Sequence, residues 1–410
     1  MKKNMRILIV TQYFPPERGA VRRLYEFALQ FKDKGHDVTV LTAMPNYPDG
    51  ILPEKYRGKF YQREIIDGLD IRRSYVLPAS NAQPKKRMFG FLTFMASSLI
   101  NSFRIKGKFD LVLASTPPVT SAGLGFLLSK LRRTKFVLEI RDLQPESGEQ
   151  FGNLKKSIFT ETIRRVMKFI YKQADQIVCV TEGIEKAIRQ IQPMNGNLTT
   201  IKSGVGNDFI NSHSNGIRKK HGWEGKFLIL FSGTLGWVRP LESIVETARI
   251  LSDNKQYHFV FVGDGQKKDS LKKLVEQYNL NNVSFVGLQP LQQIPYYLKA
   301  GDVLVECLKE VPIAKVALPT KVFEYMAAGR PIAFGALEGE TSQMLNQAGG
   351  ELRFSPQHPE QLAQIIRDLY DKKIDGVTIG KKYHEYVAQN FSREKWADQY
   401  LNVLDKVGAK

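Results

Sequence analysis

The 410-residue sequence lacks the patterns that mark disulfide, metal and common nucleotide sites. Its only two cysteines, Cys179 and Cys307, lie in separate apolar runs, so no disulfide framework or cysteine-type zinc site is expected, and a reducing compartment fits best. No Asp-x-Asp pair is present to hold Mg²⁺ or Mn²⁺, and the six histidines show no metal-ligand spacing. Neither a Gly-x-Gly-x-x-Gly fingerprint nor a Walker loop occurs. We therefore predict that the protein requires no metal and no bound cofactor.

Long apolar runs are also scarce. The uncharged stretch Leu111–Ser129 contains Pro117 and Pro118, so a strand, a loop and a helix explain it better than a bilayer span. The first apolar run, Ile7–Val10, is too short for the core of a signal peptide and is predicted to be a buried strand. We therefore expect a cytoplasmic protein without a transmembrane segment.

The charge of the chain is strongly positive. Sixty Lys and Arg residues stand against 41 Asp and Glu residues, which gives a net charge of +19. This excess requires an anionic partner, and by itself it leaves nucleic acid, acidic lipid and phosphorylated substrates open. The basic residues are scattered and no nucleic-acid-binding module is recognisable, so a basic nucleic-acid binder is the weaker alternative and we expect no nucleic-acid partner.

Short apolar runs alternate with amphipathic stretches of helical periodicity along the chain. The strand-like runs are residues 6–10, 37–41, 111–114, 136–140, 177–180, 227–231, 259–262, 283–286, 303–305 and 331–334. The helical stretches are residues 21–34, 158–173, 241–251, 271–278 and 362–370. Strands that alternate with helices predict parallel sheets covered on both faces. We predict an α/β fold with two Rossmann-like, doubly wound parallel sheets of five to seven strands each.

The most polar stretch separates the two sets of strands. We place a linker near residues 203–222 and predict domains at 1–203 and 204–385, with a C-terminal helix over 386–410 that packs back on the first domain. Ligands of open parallel sheets bind at the carboxyl ends of the strands. We therefore expect the site in a central cleft that the two sheets face.

The segment from Pro319 to Pro331 carries the clearest functional pattern. Thr320 is expected to cap a helix, Lys321 in its first turn to face an anion, and Glu324 one turn later to lie on a similar face. A carboxylate that accepts two hydroxyl hydrogen bonds suits a ribose diol.

Two motifs follow predicted strands of the first domain. Gly19 lies in a strand-to-helix turn, where a glycine lets the backbone approach a ligand and the helix offers N–H groups to an anion, although such turns are often only structural. Arg141, Asp142 and Glu146 follow another strand, where they either orient sugar hydroxyls and serve as a base or form an ion pair that caps a helix.

The sequence Pro-Thr-Lys-Val-Phe-Glu-Tyr-Met-Ala-Ala-Gly-Arg-Pro-Ile at 319–332 closely resembles the donor-binding signature of the family 4 glycosyltransferases, which have the GT-B fold. Its form is that of the bacterial O-antigen and capsule branch, which includes the WbuB-like N-acetyl-L-fucosamine transferases. Further likenesses cover essentially the whole chain, at residues 15–23, 141–147, 233–236, 261–265 and 386–392. The resemblance implies a retaining, metal-independent glycosyltransferase that uses a UDP-sugar, with a first domain for the acceptor and a second for the donor. A nucleotide-sugar epimerase of the same fold remains an alternative.

The resemblance also implies roles for individual residues. Glu324 would bind the ribose, and Arg141, Asp142 and Glu146 would serve the acceptor and catalysis. The implied contacts to diphosphate and base lie at Gly19, Gly233, Arg239, Lys315, Leu318, Thr320, Lys321, Val286 and Leu288. The family usually has a second glutamate eight residues before Glu324, but this chain has Val316 there. Glu306 or Glu310 would have to replace that carboxylate.

A basic and apolar segment in the first domain predicts contact with a membrane. Lys85, Lys86 and Arg87 precede an apolar stretch in which Phe91, Phe94, Met95, Leu99 and Phe103 recur at helical spacing. Such a segment either lies in an anionic membrane interface or is a buried helix with solvated ends. Together with Arg22, it would serve the acceptor that the resemblance implies, a polyprenyl-diphosphate-linked saccharide. We expect peripheral attachment to the inner face of the cell membrane, which leaves room for contacts with other polysaccharide-assembly enzymes.

Overall fold

The computed structural model describes residues 4–17, 21–80, 83–192, 197–213 and 216–408. The chain forms two compact units, Met1–Ser203 with Glu394–Lys410 and Gly204–Arg393. Each unit has its own parallel sheet and its own apolar core. The predicted α/β class with two parallel-sheet domains is therefore confirmed.

The first unit contains an eight-stranded sheet in the order β3-β4-β2-β1-β5-β6-β7-β8. Its strands are β1 (Arg6–Val10), β2 (Asp37–Ala43), β3 (Tyr61–Ile66), β4 (Leu69–Ser74), β5 (Leu111–Thr116), β6 (Lys135–Ile140), β7 (Gln176–Cys179) and β8 (Leu198–Thr200). All neighbours pair in parallel except β3 and β4, which form an antiparallel hairpin. The prediction of five to seven strands was wrong for this sheet, because β3 and β4 are rich in charged residues and β3 is only half-buried.

Helices cover both faces of the first sheet. They are α1 (Arg22–Asp33), α2 (Pro84–Ser102), α3 (Val119–Arg132), α4 (Glu146–Gln150), α5 (Ile158–Gln173), α6 (Glu182–Ile191) and, from the end of the chain, α16 (Arg393–Gly408). On one face Tyr400 of α16 packs edge-on against Phe27 and Phe31 of α1, with ring centroids 5.5 and 5.6 Å apart. On the other face α3 lies so close to β5 that a Cβ at Gly125 would come within 2.3 Å of the Ala114 side chain. The result is a three-layer α/β/α unit.

The second unit contains a six-stranded, fully parallel sheet in the order β11-β10-β9-β12-β13-β14. Its strands are β9 (Phe227–Ser232), β10 (Tyr257–Val262), β11 (Val283–Gly287), β12 (Val303–Cys307), β13 (Ile332–Gly335) and β14 (Leu352–Phe354). Its helices are α7 (Asn207–Ile210), α8 (Ile217–His221), α9 (Glu242–Ile250), α10 (Lys268–Gln277), α11 (Ile294–Ala300), α12 (Thr320–Ala327), α13 (Glu340–Ala348), α14 (Pro359–Tyr370) and α15 (Gly376–Asn390). Strand order reverses between β9 and β12, so their carboxyl ends flank the point where ligands of such sheets bind.

The second unit begins at Gly204, where the second domain was expected to begin, but it ends at Arg393 rather than at residue 385. The stretch 203–222, where a linker was expected, contains α7 and α8, which belong to this unit. The predicted third segment from residue 386 begins inside α15, and the chain changes unit between Arg393 and Glu394.

A buried ion pair connects the elements of the first unit. The Arg23 guanidinium of α1 lies 3.2 Å from the Glu139 carboxylate of β6, and both side chains are buried. Glu139 also accepts a hydrogen bond from Ser115 of β5, and Arg23 donates to the carbonyl of Ile201 just after β8. One charged pair thus links a helix to three segments of the sheet.

Replacing Arg23 by Met should lower the free energy of unfolding by about 3–5 kcal/mol, because Glu139 would stay buried without its partner. Urea unfolding followed by circular dichroism would measure the change. The matched control is Arg63→Met, which breaks an ion pair to Asp70 from a side chain that is 58% exposed and should cost at most about 1 kcal/mol. Equal effects of the two variants would contradict a stabilising role for the buried pair.

Candidate active site

The candidate site of the second unit lies at the carboxyl ends of β9 and β12 and at the start of α12. Gly233 follows β9 directly, Glu306 is the fourth residue of β12, and Lys321 is in the first turn of α12. Parallel strands end at the same edge of their sheet, which is why residues so distant in sequence meet there.

Two cations converge on one buried carboxylate at this edge. Arg239 Nε lies 2.8 Å from Glu306 Oε1, and Lys321 Nζ lies 3.2 Å from Glu306 Oε2. The Glu306 side chain has no solvent exposure. Glu306 was one of two residues expected to replace the missing sugar-binding carboxylate. In the structure both of its oxygens already face cations, so a sugar hydroxyl would compete with Arg239 and Lys321 for them.

The ammonium of Lys321 is held in a desolvated place. It lies 4.3 Å from the centroid of the Phe231 ring, and a Cβ at Gly233 would come within 2.1 Å of it. Burial and the neighbouring Arg239 lower the pKa of Lys321 to about 8, although the Glu306 carboxylate opposes the shift. Gly233 has φ +142°, so both this backbone conformation and the close approach of Lys321 favour glycine here.

Helix α12 presents the remaining residues of the predicted signature. Its N-cap is Pro319, and Thr320 is an exposed first residue without a capping hydrogen bond, so the predicted capping role of Thr320 was wrong. Leu318 is buried and Glu324 is half-buried. Sequence reasoning missed Tyr325, whose buried hydroxyl accepts from the Ser232 N–H at 2.8 Å and donates to the Ser232 carbonyl at 3.0 Å. This pair of bonds fixes α12 to the end of β9.

The segment predicted to meet the base lies at the end of edge strand β11. Val286 is half-buried, and Leu288 beyond the strand is 54% exposed. Val286 also lines a cavity of about 370 Å³, whose wall includes Gln289 and Tyr297. The Tyr297 hydroxyl donates to Gln289 at 3.3 Å, which orders this wall.

The loop before α12 contains Lys315 and Glu310, two further residues expected at the donor. Lys315 is exposed in a 3₁₀ turn over Pro312–Val316. Glu310 accepts hydrogen bonds from the side chains of Ser355 (3.0 Å) and Gln357 (2.7 Å). Its carboxylate is thus engaged within the second unit.

In the first unit the predicted catalytic residues follow the end of β6, while Gly19 lies outside the described residues. Arg141 donates from Nε to the Thr116 carbonyl at 2.8 Å, across the ends of β5 and β6. Asp142, the next residue along the chain, is exposed to solvent. Glu146 lies 2.9 Å from Arg164 of α5, a partner outside the group of three residues from which an ion pair was expected.

The predicted membrane residues of α2 do not share one face. Phe94 is fully buried, so its assignment to a membrane surface was wrong, and Phe91 is only partly exposed. Lys85 and Lys86 are exposed, whereas Arg87 donates to the Tyr13 hydroxyl at 3.2 Å and stacks on Phe91. Arg22, expected beside them, forms an ion pair with Glu26 on α1.

Among the described residues no group of three or more His, Cys, Asp or Glu side chains is arranged to hold a metal ion. The cluster at β9, β12 and α12 instead concentrates positive charge, which suits an anionic ligand without a metal. The metal-free reaction stays a prediction.

Two parallel-sheet units, with cations at the strand ends of the second, define an α/β protein of two Rossmann-like domains. Residues 18–204 match the profile described as "Glycosyl transferase 4-like domain", and residues 214–391 match "Glycosyl transferases group 1". The two matches together take in most of the chain, which belongs to this glycosyltransferase family.

Individual relatives support the same assignment. The chain is 27% identical over 315 residues to the probable glycosyltransferase WbjE of Pseudomonas aeruginosa, covering 74% of this chain and 75% of that protein. It is 25% identical to the putative colanic acid biosynthesis glycosyl transferase WcaI of Escherichia coli, over 97% of this chain and 99% of the relative.

Solved structures match the fold over nearly the whole chain. HepE of Anabaena in complex with UDP and glucose has a TM-score of 0.74 at 18% identity, covering 98% of this chain and 99% of HepE. Sucrose-phosphate synthase of Thermosynechococcus elongatus has a TM-score of 0.76 at 18% identity, covering 99% and 100%. These likenesses establish the GT-B fold.

Proposed function

We propose that the protein is a retaining, metal-independent glycosyltransferase that moves a sugar from a UDP-sugar to a lipid-diphosphate-linked saccharide in capsule or O-antigen synthesis. The sugar we propose is an N-acetylated deoxyhexose such as N-acetylfucosamine, as in the WbuB-like branch that the 319–332 signature resembles. The observation that carries the proposal is the cationic edge formed by Arg239 and Lys321, with the Glu324 carboxylate one turn along α12.

The choice of UDP is supported by what similar structures bind. HepE of Anabaena was solved with UDP and with UDP-glucose. The role in a surface polysaccharide is supported by WcaI of E. coli, which is named for colanic acid biosynthesis.

Each donor-side residue has a distinct part in the proposed reaction. The bond between the anomeric carbon and the diphosphate breaks, and the negative charge that grows on the diphosphate is stabilised by Lys321, Arg239 and the N–H groups at the start of α12. Glu324 binds the ribose hydroxyls. Arg141 and Asp142 position the acceptor, whose hydroxyl attacks the anomeric carbon from the side of the leaving group and gives its proton to the departing diphosphate.

Binding measurements test the nucleotide. Calorimetry with UDP, GDP and ADP, each with and without EDTA, should show UDP-selective binding that EDTA leaves unchanged, because the leaving group is held by side chains and N–H groups. Loss of binding in EDTA would contradict the metal-free proposal, and no response to any nucleotide would overturn the assignment as a nucleotide-sugar enzyme.

Replacing Glu324 by Ala should weaken UDP binding or the transition state by roughly 2–4 kcal/mol, since a charged acceptor of two hydroxyl hydrogen bonds is removed. Titration with UDP and kcat/KM measurements would report the loss. The control is Glu276→Ala on α10, where an exposed helical carboxylate is removed from the same unit. Unchanged binding and turnover in Glu324→Ala would exclude the ribose contact.

We also propose peripheral attachment to the inner face of the cell membrane through a basic apolar face of the first unit. On α2 the exposed apolar residues recur along one side of the helix, namely Met88, Phe89, Leu92, Ile100 and Phe103. Helix α3 packs against α2, and α5 packs against α3 through Phe126 and Phe169, whose rings lie 5.5 Å apart. These two helices add exposed Leu127, Leu131, Ile158, Phe159, Val166 and Phe169.

The charge of this face favours anionic lipid. Neither α2 nor α3 contains an acidic residue, and α5 contains a single one, Glu161. Exposed cations accompany the apolar residues, namely Lys85, Lys86, Lys130, Lys155, Lys156, Arg165, Lys168 and Lys172. Each cation near an anionic surface contributes about 1 kcal/mol. None of the described helices is both long and apolar enough to cross a bilayer.

Sedimentation with vesicles tests the attachment. The protein should pellet with phosphatidylcholine vesicles that contain phosphatidylglycerol, and the double variant Phe89→Asp/Phe103→Asp should bind at least about tenfold more weakly because two apolar anchors become charged. Val377→Asp, at an 83% exposed apolar site of the second unit, is the control and should pellet normally. Wild-type protein that stays in the supernatant would defeat the proposal.

A further inference from the structure

The carboxylate of Glu306 lies behind two cations rather than beside solvent. Its side chain has no exposure, whereas those of Arg239 and Lys321 retain 17% and 12%. The surface parts of this cluster therefore belong to the Arg239 and Lys321 side chains, while the Lys321 Nζ atom itself is buried. The Glu306 carboxylate is the partner that both cations share.

The Lys321 ammonium has donors to spare. Neither Lys321 Nζ nor Glu306 Oε2 makes a hydrogen bond of standard geometry within the described part of the chain, although the two atoms lie 3.2 Å apart. The ammonium lies against the backbone of Gly233 at the end of β9, where glycine has no side chain of its own to cover it. A buried, incompletely bonded ammonium at a strand end is suited to an incoming anion.

We propose that Glu306 is a positioning residue for the donor diphosphate: it fixes the Arg239 guanidinium and the Lys321 ammonium at the end of β9 and keeps both charged. The proposal rests on the proposed function, since it assigns the diphosphate of the UDP-sugar to these cations. Glu306 acts through them and does not itself touch the donor.

The physical reason is that two buried cations repel each other. Arg239 cannot lose its proton, so without a carboxylate between them Lys321 would lose its own. Burial and the charge of Arg239 lower the pKa of the ammonium, while the carboxylates of Glu306 and Glu324 raise it. Tyr325, next to them, stays a neutral phenol because burial raises its pKa. Of the two carboxylates, Glu306 has the larger effect in keeping Lys321 protonated.

The sign of the pH dependence follows from this balance. A diphosphate binds the protonated ammonium, so UDP affinity should fall as the pH rises through the pKa of Lys321, which is about 8 in the free protein. In Glu306→Gln that pKa moves further down, and the fall in affinity should begin at lower pH. UDP ionises identically with every variant, so differences between variants belong to the protein.

The experiment is calorimetric titration with UDP across neutral and alkaline pH. Compared with wild type, the midpoint of the affinity loss should move down by about one pH unit or more in Glu306→Gln. Glu306→Asp, which keeps the charge, should retain the wild-type midpoint with weaker binding, and Lys321→Arg should lose the step because its guanidinium does not titrate there. The control is Asp302→Asn at the amino end of the same strand, where the carboxylate pairs with Arg218 at 2.6 Å, and it should leave the midpoint unchanged.

The outcomes separate the two proposals. Wild-type protein that does not bind UDP overturns the proposed function. Wild-type protein that binds UDP while Glu306→Gln keeps the wild-type midpoint overturns the positioning role alone, even if that variant is less stable. If Glu306→Gln does not fold, Glu306→Asp and Lys321→Arg still decide: a shifted midpoint in the first or a retained step in the second contradicts the proposal.

Discussion

The contact on which the candidate site depends is the bridge of one buried carboxylate to two cations at the edge of the second sheet. Glu306 of β12 pairs with two cations: Arg239, which lies in the loop after β9, and Lys321, which lies in the first turn of α12. Ion pairs without solvent are sensitive to the loss of either partner, so this bridge fixes a loop, a strand and a helix relative to one another. Tyr325 also ties α12 to the end of β9, through two uncharged hydrogen bonds between its hydroxyl and the Ser232 backbone. The helix that carries Lys321 and Glu324 is thereby held firmly at the strand ends.

The two units use their charge differently. In the second unit, cations are concentrated at the carboxyl ends of strands, where a fold of this type binds its ligand. In the first unit, exposed cations accompany apolar side chains along α2, α3 and α5. The net charge of +19 is therefore divided between a strand edge suited to an anion and a broad helical face suited to an anionic surface. Neither use requires the base-reading contacts of a nucleic-acid binder.

Much of the fold could be predicted because buried parallel strands are continuous apolar runs. The runs at 6–10 and 227–231 fall within β1 and β9. The hairpin of β3 and β4 was missed because these strands are largely polar, although Asp67-Gly68, both at positive φ, is the dipeptide that signals such a turn. Phe94 was placed on the wrong face because the buried side of α2 also contains polar Ser97, Ser98 and Asn101, so hydrophobicity alone did not mark that side. The bridging role of Glu306 was invisible since its partners lie 67 and 15 residues away.

The most direct test of the account is the transfer reaction itself, followed by mass spectrometry and NMR. The purified protein would be supplied with a UDP-linked N-acetylated deoxyhexose and a short prenyl-diphosphate-linked saccharide, in EDTA. We expect release of UDP and a product whose new glycosidic bond has the anomeric configuration of the donor. A donor that is epimerised without any acceptor, a product of inverted configuration, or no transfer with any UDP-sugar would contradict it.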